Sequence, residues 1–486
     1  MRSVSIVIDQ STTASKVYLI DEFGKIVDER SHIHDKIYPR TGWVEHDPEQ
    51  IQKQVMECIY ELMKVHQNEI NVTCVCITNQ RETVVGWDED TGKPVYNAIV
   101  WQCSRTHELC RQLIKQGYEP LVLERTGLKI DPYFSATKMK WILDHTQVDR
   151  NKTKFGTIDS WLIYNLTNRQ VHATDHTNAS RTLLYNLENG AWDDELCGLF
   201  GIDQTMLPEI KCSDEIFGYT DLSGILNEPV VIRGVMGDSQ AAFYAQQCVH
   251  EGDIKMTLGT GSSIMMNVSE LKPRINGLVN VLGYKMKADQ TYGVEGIVNC
   301  NGESLNWAKE DMKLFSDYNE LDENLFEKPT SVLFVPALTG LSMPYWNPVA
   351  QGMIIGIERQ STPRDFLKGI VEGIVCQLCD ALSCFEVNDH SVHVDGGLSK
   401  NKQIMQLLAD LSNRPIEVCN HPDLSAMGAW LAGSKKTDFE KTTRTYFPNM
   451  SEEVRRKRLE RYHRAIDCAL MLANIKKEEK DNETGI

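Results

Sequence analysis

The sequence has no long apolar run, no excess of basic residues and no recognisable leader. No stretch of its 486 residues approaches the roughly 20 apolar residues of a membrane-spanning helix, and the opening MRSVSIVIDQ has no apolar signal region. The net charge of -17 argues against broad electrostatic binding to nucleic acid or to an anionic membrane. We therefore expect a cytoplasmic protein with neither nucleic acid nor a membrane as its partner.

Several common catalytic and metal-binding motifs are also missing. The sequence contains no GxxxxGK[ST] loop, GxGxxG, HExxH or GxSxG, so P-loop, Rossmann, zincin and α/β-hydrolase functions lose their usual support. Cys376 and Cys379 form a CxxC pair, but no second pair supplies the remaining ligands of a structural zinc. Fourteen cysteines in a chain this long are expected to be mostly small buried apolar residues.

The first part of the chain has the pattern of an antiparallel meander followed by a crossover. Strands are predicted at Ser3–Asp9, Ser15–Ile20 and Lys25–Ile33. A helix follows, with Asp47 as its N-cap and Gln50 at the capping-box position. The next apolar run, VTCVCIT, is typical of a strand buried between helical layers. The predicted order is therefore β-β-β-α-β.

A polar turn between the first two strands is the first candidate site. Asp9 ends the first strand, Ser11, Thr12 and Thr13 fill the turn, and Lys16 follows it. Backbone N–H groups of such a turn can bind phosphate oxygens, and an adjacent carboxylate can hold Mg²⁺ through water. Because Ser/Thr-rich turns also close ordinary hairpins, the residues alone leave both interpretations open.

The second half of the chain repeats this theme. Strands predicted at Asp253–Leu258 and Ser263–Val268 flank the turn GTGS, and a later strand ends in Asp-Gly-Gly before a helix that begins near Asn401. The repeat indicates a duplicated domain, with domains expected at residues 1–246 and 247–486. The last eleven residues are rich in charge, and we expect them to be disordered.

Two further polar groups follow predicted buried strands. Arg81 and Glu82 come directly after the VTCVCIT strand, and Asp238 comes after an apolar strand that ends near residue 235. In an open α/β sheet, residues past the carboxyl ends of strands face the ligand crevice. The Arg and Glu either grip vicinal hydroxyls or form an ordinary surface ion pair. Asp238 is either a helix cap or a base that orients a hydroxyl nucleophile.

Longer runs resemble the FGGY carbohydrate kinases and, within that family, the glycerol kinases. These runs are YPRTGWVEHDPEQI (38–51), ITNQRETVVGW (77–87), TGLKIDPYFSATKMKWILDH (126–145) and TDHTNASRTLLYN (174–186). Residues 133–145 fit the first family signature, and GMIIGI (352–357) opens the second. The resemblance extends from residue 4 to about 435.

The resemblance implies an α/β fold of two ribonuclease H-like domains, as in actin and hexokinase, with an interdomain cleft. It implies ATP-dependent phosphorylation, with Mg²⁺, of a primary hydroxyl of a small polyol, in the first place glycerol to glycerol 3-phosphate. It further implies a homo-oligomer, either a dimer or a tetramer.

The resemblance also assigns roles by position. Asp238 corresponds to the general base, and Asp9 corresponds to the carboxylate assigned to Mg²⁺. The polyol-binding positions are Arg81, Glu82, Trp101, Tyr133, Asp238, Ser239 and Ser263. The nucleotide-binding positions are Thr12, Thr13, Lys16, Thr260, Gly302, Asn306, Gly397 and Asn401.

Three of these positions, and Ser11 next to Thr12, depart from the family pattern. Ser11 replaces a glycine, which implies strain if the turn needs a positive φ, and Lys16 replaces an arginine. Ser239 and Ser263 replace larger side chains at the polyol pocket, so a longer polyol such as a tetritol or pentitol is an alternative substrate. A catalytically degenerate sensor of polyol or nucleotide is an alternative of another class, and an actin-type ATPase is a weaker one.

Overall fold

The computed structural model describes residues 1–259, 261–271, 277–299, 301–322, 325, 330–385, 390–421 and 423–484, with side chains as far as residue 475. The chain divides into two compact units. The first unit comprises Met1–Gln247, Val279–Gly293 and Pro422–Glu440, and the second comprises Cys248–Leu278, Val294–His421 and Lys441–Ile486. The first segment ends beside the predicted boundary at residue 246, but two later segments return to the first unit. A single boundary therefore does not describe the division.

The elements are given in chain order. The strands are β1 (Arg2–Gln10), β2 (Ala14–Asp21), β3 (Ile26–Ile33), β4 (Glu45–His46), β5 (Ile70–Asn79), β6 (Val85–Asp88), β7 (Ala98–Ile99), β8 (Thr153–Gly156), β9 (Ala173–Asp175), β10 (Tyr185–Asn186), β11 (Ala191–Trp192), β12 (Glu209–Lys211), β13 (Gly218–Thr220), β14 (Val230–Gly237), β15 (Ile254–Leu258), β16 (Ser262–Val268), β17 (Val279–Lys285), β18 (Gln290–Val298), β19 (Leu333–Val335), β20 (Met353–Ile355), β21 (Val392–Asp395), β22 (Ile416–Cys419) and β23 (Thr443–Tyr446). The helices are α1 (Pro48–His66), α2 (His107–Lys115), α3 (Glu119–Thr126), α4 (Ser135–His145), α5 (Ile158–Leu166), α6 (His176–Ala179), α7 (Asp194–Phe200), α8 (Asp238–Ala245), α9 (Asn301–Glu310), α10 (Pro363–Ser383), α11 (Lys402–Ser412), α12 (Leu424–Ser434) and α13 (Glu452–Thr484). Short 3₁₀ turns lie at Gln204–Met206, Tyr318–Glu320 and Gly397–Lys400.

The main sheet of the first unit confirms the predicted meander and crossover. Its strand order is β13-β14-β5-β1-β2-β3, with β1, β2 and β3 antiparallel and with β5 parallel to both β1 and β14. Asp9 pairs with Thr78 in register, and Asn79 pairs with Gly237. The carboxyl ends of three parallel strands therefore meet at one sheet edge, where Arg81 and Asp238 follow them.

Helix α1 begins as predicted, but its expected capping box does not form. The side chain of Asp47 accepts a hydrogen bond from the Glu49 N–H at 2.9 Å. The side chain of Gln50 bonds to Asp35 instead, accepting from its backbone N–H at 3.0 Å and donating to its carboxylate at 2.9 Å. Asp35, in the loop before the helix, therefore occupies the Gln50 side chain that the capping box would need.

The main sheet of the second unit has the same plan as the first. Strands β15 and β16 form an antiparallel hairpin, β15, β21 and β22 are parallel, and β23 pairs antiparallel with β22. The order β18-β16-β15-β21-β22-β23 thus repeats the order β3-β2-β1-β5-β14-β13 of the first unit. This repeat supports the inference of duplication that the two hairpins suggested.

Helix α12 explains why residues near 430 belong to the first unit. Apart from Ser425 and Ser434 all its residues are buried, and it packs on α8, β14, β5 and β1. A Cβ on Gly428 would lie 1.9 Å from the Ala241 carbonyl oxygen, and one on Gly433 would lie 2.4 Å from the Cys76 sulfur. Glycine at these two positions therefore permits α12 to approach α8 and β5 closely.

The C-terminal helix α13 is longer than expected. Its backbone continues to Thr484, whereas disorder was predicted from Lys476 onward, because Glu, Lys and Asn can extend an existing helix at little cost. Its earlier turns are anchored to α10, where the Arg458 guanidinium lies 2.6 Å from the buried Glu372 carboxylate. In the part of the chain that the structure describes, no helix has the length and apolar character needed to cross a membrane.

Candidate active site

Arg81 and Asp238 meet at the sheet edge where β5 and β14 end. The Nε of Arg81 lies 3.4 Å from Oδ1 of Asp238, and its Nη1 donates to Oε1 of Gln240 at 3.1 Å. The Arg81 side chain is 6% exposed, whereas that of Asp238 is 40% exposed. A Cβ on Gly237 would lie 2.7 Å from the Arg81 Cγ, so the glycine leaves space for the arginine to cross the strand end. Asp238 therefore presents a carboxylate to solvent with a cation held beside it.

Glu82 lies beside this pair, and a buried arginine of the same unit binds its carboxylate. The Nε of Arg181 donates to its Oε1 at 2.6 Å, and the Nε of Arg81 lies 3.9 Å from the same oxygen. Both Glu82 and Arg181 are buried, and Glu82 has a positive φ of 62°. A glutamate rarely adopts that conformation, so the surrounding contacts must impose it. The Arg81–Glu82 neighbours are thus a buried cluster, and the alternative of a surface ion pair is wrong.

Trp101 and Tyr133 form an aromatic wall in the same unit. Their ring centroids are 5.3 Å apart at an interplanar angle of 60°. The indole Nε1 of Trp101 donates to Oγ1 of Thr12 at 2.9 Å. This hydrogen bond therefore connects Trp101, an expected polyol-binding residue, with Thr12 in the first hairpin turn.

Asp9 lies in a second acidic cluster of the first unit. The carboxyl of Asp423, at the N-cap of α12, is hydrogen-bonded to Asp9 and accepts the Tyr18 hydroxyl at 2.8 Å. The Lys16 ammonium lies 3.6 Å from Asp423. Burial raises the pKa of Asp9 well above its usual value, with further contributions from the charges of Asp423 and Asp238. A cation beside Asp9 would offset the neighbouring charges of Asp423 and Asp238.

The first hairpin turn is stabilised by its own serine. Ser11 has no positive φ, so the strain expected from replacing glycine is absent. Its Oγ accepts from the backbone N–H groups of Thr13 and Ala14 at 3.4 and 3.2 Å and donates to the Ala14 carbonyl oxygen at 3.0 Å. Two N–H groups that point into the turn are thus directed at the Ser11 hydroxyl.

Ser239 and Ser263, the two small residues expected at the polyol pocket, each contact a carboxylate. The backbone N–H of Ser239 donates to Asp238 Oδ1 at 2.7 Å. In the second unit, the Ser263 hydroxyl donates to Oε1 of the buried Glu295 at 3.0 Å.

The second hairpin turn is built from backbone groups. Gly259 N–H donates to the Gly261 carbonyl oxygen at 3.0 Å, and Gly302 N–H donates to the Gly259 carbonyl oxygen at 3.1 Å. These bonds bring the turn to the start of α9. Thr260, expected to contact phosphate, lies outside the described residues.

The remaining expected nucleotide residues lie on α9 and around the Asp-Gly-Gly turn. Asn306 accepts the Tyr318 hydroxyl at 2.7 Å. Asn401 caps α11, accepting from two backbone N–H groups at 3.0 Å, and donates to the Leu321 carbonyl oxygen at 2.9 Å. A Cβ on Gly397 would meet no atom within 4 Å, so open space lies beside this residue.

Sequence reasoning missed the residues that support this site. Arg181, Gln240, Tyr18 and Asp423 hold the predicted residues but were not singled out. Arg181 lies in the run TDHTNASRTLLYN, which was used only to establish the resemblance. Asp423 carried the one available local signal, since an Asp immediately before an apolar helix is a typical N-cap. That signal indicates a cap and says nothing about the proximity of Asp9.

Comparison with known proteins identifies the family. Residues 4–244 match the N-terminal domain of the FGGY family of carbohydrate kinases, and residues 254–436 match its C-terminal domain. Glycerol kinase 1 of Thermotoga maritima is 40% identical over 95% of this chain and 98% of its own length. A glycerol kinase of Vibrio atlanticus is 37% identical over 98% of both chains.

Solved structures confirm the predicted fold class. The crystal structure of Plasmodium falciparum glycerol kinase with ADP has a TM-score of 0.90 and 31% identity, covering 96% of this chain and 98% of that one. A gluconate kinase from Lactobacillus acidophilus, at 22% identity and a TM-score of 0.85, shares the fold over 97% of this chain and 99% of its own. With both domains matched in order and relatives aligned over nearly the whole length, this chain belongs to the FGGY family of carbohydrate kinases and is a phosphotransferase.

Proposed function

We propose that the protein transfers the γ-phosphoryl group of ATP to a primary hydroxyl of a small polyol, with glycerol as the first candidate. The observation that carries the proposal is the Arg81–Asp238 pair, a partly exposed carboxylate held at 3.4 Å from a buried cation at the end of two parallel strands. The 40% identity to a protein named glycerol kinase supports glycerol as the acceptor.

Asp238 is the general base of this proposal. As the substrate oxygen forms its bond to the γ-phosphorus, the bond from that phosphorus to the β,γ-bridging oxygen breaks, and ADP leaves. The hydroxyl proton passes to the Asp238 carboxylate and then to solvent. Phosphoryl transfer has a loose transition state, so positioning of the hydroxyl accounts for much of the catalysis. Arg81 orients Asp238, while the aromatic wall of Trp101 and Tyr133 packs on the carbon chain.

Asp9 is the proposed magnesium residue, and its surroundings fit a divalent cation. Its neighbours Asp423 and Asp238 add negative charge that the single ammonium of Lys16 does not balance. Among the described residues, no group of three or more His, Cys, Asp or Glu side chains is arranged to hold a metal ion. Mg²⁺ usually keeps several waters and binds through one or two carboxylates and substrate phosphates, a role for which Asp9 with the neighbouring Asp423 is the candidate. When bound, Mg²⁺ neutralises developing phosphate charge.

The nucleotide-binding roles remain proposals for residues in each unit. Thr12 and Thr13 in the first hairpin turn, with Lys16 behind them, offer hydroxyl and ammonium donors to phosphate oxygens. In the second unit the candidates are Gly302, Asn306, Gly397 and Asn401. The open space beside Gly397 supports its role, because a ligand approaches glycine backbone closely. A homo-oligomeric state is a prediction of the resemblance, and a cytoplasmic location is a prediction from the sequence composition.

A longer polyol is the second candidate substrate. The Ser263 hydroxyl donates its hydrogen to Glu295. The lone pairs of the Ser263 oxygen could then accept a hydrogen bond from a further hydroxyl of the substrate. A chain longer than glycerol would supply that hydroxyl.

An ADP-release assay tests both candidates. Mg-ATP is supplied with glycerol, dihydroxyacetone, erythritol, threitol, xylitol, arabitol or ribitol, and kcat/KM is compared. The highest kcat/KM with glycerol is expected. A lead for a four- or five-carbon polyol would transfer the assignment to the longer substrate. Absence of phosphorylation with every acceptor would contradict the kinase assignment and favour the degenerate sensor, and rapid ATP hydrolysis without acceptor would favour an actin-type ATPase.

A further inference from the structure

Lys138 is a buried lysine beside the aromatic wall that the proposed mechanism does not use. It lies in the first turns of α4, and its side chain is 0% exposed. Its ammonium donates to the carbonyl oxygens of Pro132 at 2.9 Å and Phe134 at 2.8 Å, and also to that of Tyr133. An ammonium has three N–H donors, so three consecutive carbonyls satisfy it completely.

The position of this lysine is costly for a helix. A cation near a helix N-terminus opposes the helix dipole, and burial of a charge is unfavourable unless the charge is paired and hydrogen-bonded. Burial lowers the pKa of Lys138 to about 7, although the charges of Glu82 and Asp131 act in the opposite direction. A serine or aspartate cap would stabilise the same helix end without burying a cation. The buried ammonium therefore stabilises the backbone conformation of residues 132–134 rather than the helix itself.

That backbone carries groups of the candidate active site. Tyr133, whose own N–H is held by Asp131 at 2.8 Å, contacts the Trp101 ring. Phe134 lies 5.2 Å beneath the guanidinium of Arg181, the residue that holds the Glu82 carboxylate. The next residue, Ser135, donates its hydroxyl to the Glu82 carbonyl oxygen at 3.1 Å. Residues 132–135 thus form a strap that runs from the aromatic wall to Glu82.

We propose that Lys138 is a positioning residue for polyol binding, whose ammonium fixes the three carbonyls of this strap and thereby sets the place of the Tyr133 ring. The inference rests on the proposed role of Tyr133 in holding the polyol. Lys138 itself touches no substrate. We expect its loss to change the geometry of the aromatic wall more than the positions of Asp238 and Arg81.

The test replaces Lys138 with methionine, which keeps an apolar stem of similar length and removes the donors. We expect KM for glycerol to rise about tenfold or more, while kcat and KM for ATP change less than about threefold. The matched control is Lys140→Met on the same helix, where the lysine is partly exposed and pairs with Asp144 at 3.0 Å. We expect that control to stay within about twofold in all three constants. A purely structural role would lower the melting temperature and leave KM for glycerol of the folded enzyme unchanged, which would overturn the inference.

Tyr133→Ala separates this inference from the proposed function. If Tyr133→Ala leaves KM for glycerol unchanged, the proposed polyol role of Tyr133 is wrong. If Tyr133→Ala raises KM and Lys138→Met does not, only the inference about Lys138 is wrong. If Lys138 acts through Tyr133, adding Lys138→Met to Tyr133→Ala raises KM by less than about twofold more.

A pH profile of the unaltered enzyme keeps the inference testable if Lys138→Met does not fold. The titratable groups facing Lys138 are Glu82, Asp131, Cys103 and Cys110. Above pH about 7 the neutral amine has only two donors for three carbonyls, so KM for glycerol is expected to rise between pH 7 and 9 while KM for ATP does not. A KM for glycerol that is flat across this range would contradict the inference.

Discussion

The two units repeat one strand order, yet they present their candidate residues in different ways. In the first unit the candidates are side chains in charged clusters, such as Arg81 with Asp238 and Asp9 with Asp423. In the second unit the candidates carry no charge, and two of them, Gly302 and Gly397, are glycines; Gly396 lies next to Gly397. Charged side chains suit proton transfer and cation binding, whereas glycine backbone suits close approach of a large flat or phosphorylated ligand. Under the proposed function, the first copy of this sheet would hold the groups for proton transfer and cation binding, and the second copy would hold the groups that a nucleotide approaches closely.

Among substitutions in the charged clusters of the first unit, Asp238→Asn is expected to have the largest effect. Asparagine keeps the size and the first-turn position in α8 but cannot accept the substrate proton. We expect kcat to fall by about 10²- to 10⁴-fold, the usual contribution of a general base. ATP affinity, measured by calorimetric titration, should stay within about threefold. Substantial remaining turnover would remove Asp238 from the role of base.

Gly396→Ala tests the Asp-Gly-Gly turn of the second unit. Gly396 has a φ of 93°, and a Cβ there would lie 2.4 Å from the Leu258 carbonyl oxygen. A backbone conformation reserved for glycine costs about 1–3 kcal/mol with alanine, before the clash is counted. We expect a clearly lower melting temperature together with at least tenfold weaker ADP binding.

Gly397→Ala sharpens the same test, because its Cβ would enter open space. We expect unchanged stability together with weaker ADP binding, measured in the same titration. If ADP binding were unchanged in Gly397→Ala, the nucleotide does not lie against this residue.

Asp423→Asn tests the pairing of the Asp9 and Asp423 carboxylates, and we expect its effect to be intermediate in size. Asparagine still caps α12 but removes the negative charge beside Asp9, so we expect the Mg²⁺ concentration for half-maximal activity to rise about tenfold. The control Asp423→Ala also loses the cap and should cost about 1 kcal/mol of stability, which Asp423→Asn should not.

The pH dependence of stability gives a second measurement on Asp423→Asn. Because folding raises the pKa of Asp9, the folded state binds more protons than the unfolded state above the usual Asp range. The free energy of unfolding should therefore fall as pH rises from about 4 through the folded pKa, and the variant should show a smaller fall. An identical pH dependence of unfolding in both proteins would contradict the coupling.

Ser11→Gly has the smallest expected effect and makes the first turn more like the second. It frees the N–H groups of Thr13 and Ala14 from the Ser11 hydroxyl. If those groups then donate to phosphate, KM for ATP should fall about two- to fivefold, as expected for a weak hydrogen bond exchanged for a better one. A KM for ATP that rises or does not change would show that the serine turn is already the better phosphate site.

Local patterns predicted much of the fold and the place of Arg81, Glu82 and Asp238 at the end of buried strands. The three strands predicted within residues 3–33, the apolar run before Arg81 and the repeated hairpin all correspond to strands in the structure. Arg81, Glu82 and Asp238 were predictable because residues that follow parallel strands meet at one edge.

The supporting contacts were not predictable, because they join residues far apart in sequence. Arg181 reaches Glu82 across 99 positions, and Tyr18 reaches Asp423 across 405. The capping box expected at Gln50 failed for a related reason, since Asp35 competes for its amide. Periodicity describes which face of an element is buried and carries no information about which distant side chain lies there.

The return of residues 422–440 to the first unit has a consequence for how the chain is made. Helix α12 covers β1, β5 and β14, so the core of the first unit is incomplete until translation passes residue 440 of 486. A fragment that ends at residue 247 would expose the apolar faces on which α12 packs, and no single cut separates the two units. We therefore expect a nascent N-terminal half to keep these apolar faces exposed until α12 has been synthesised.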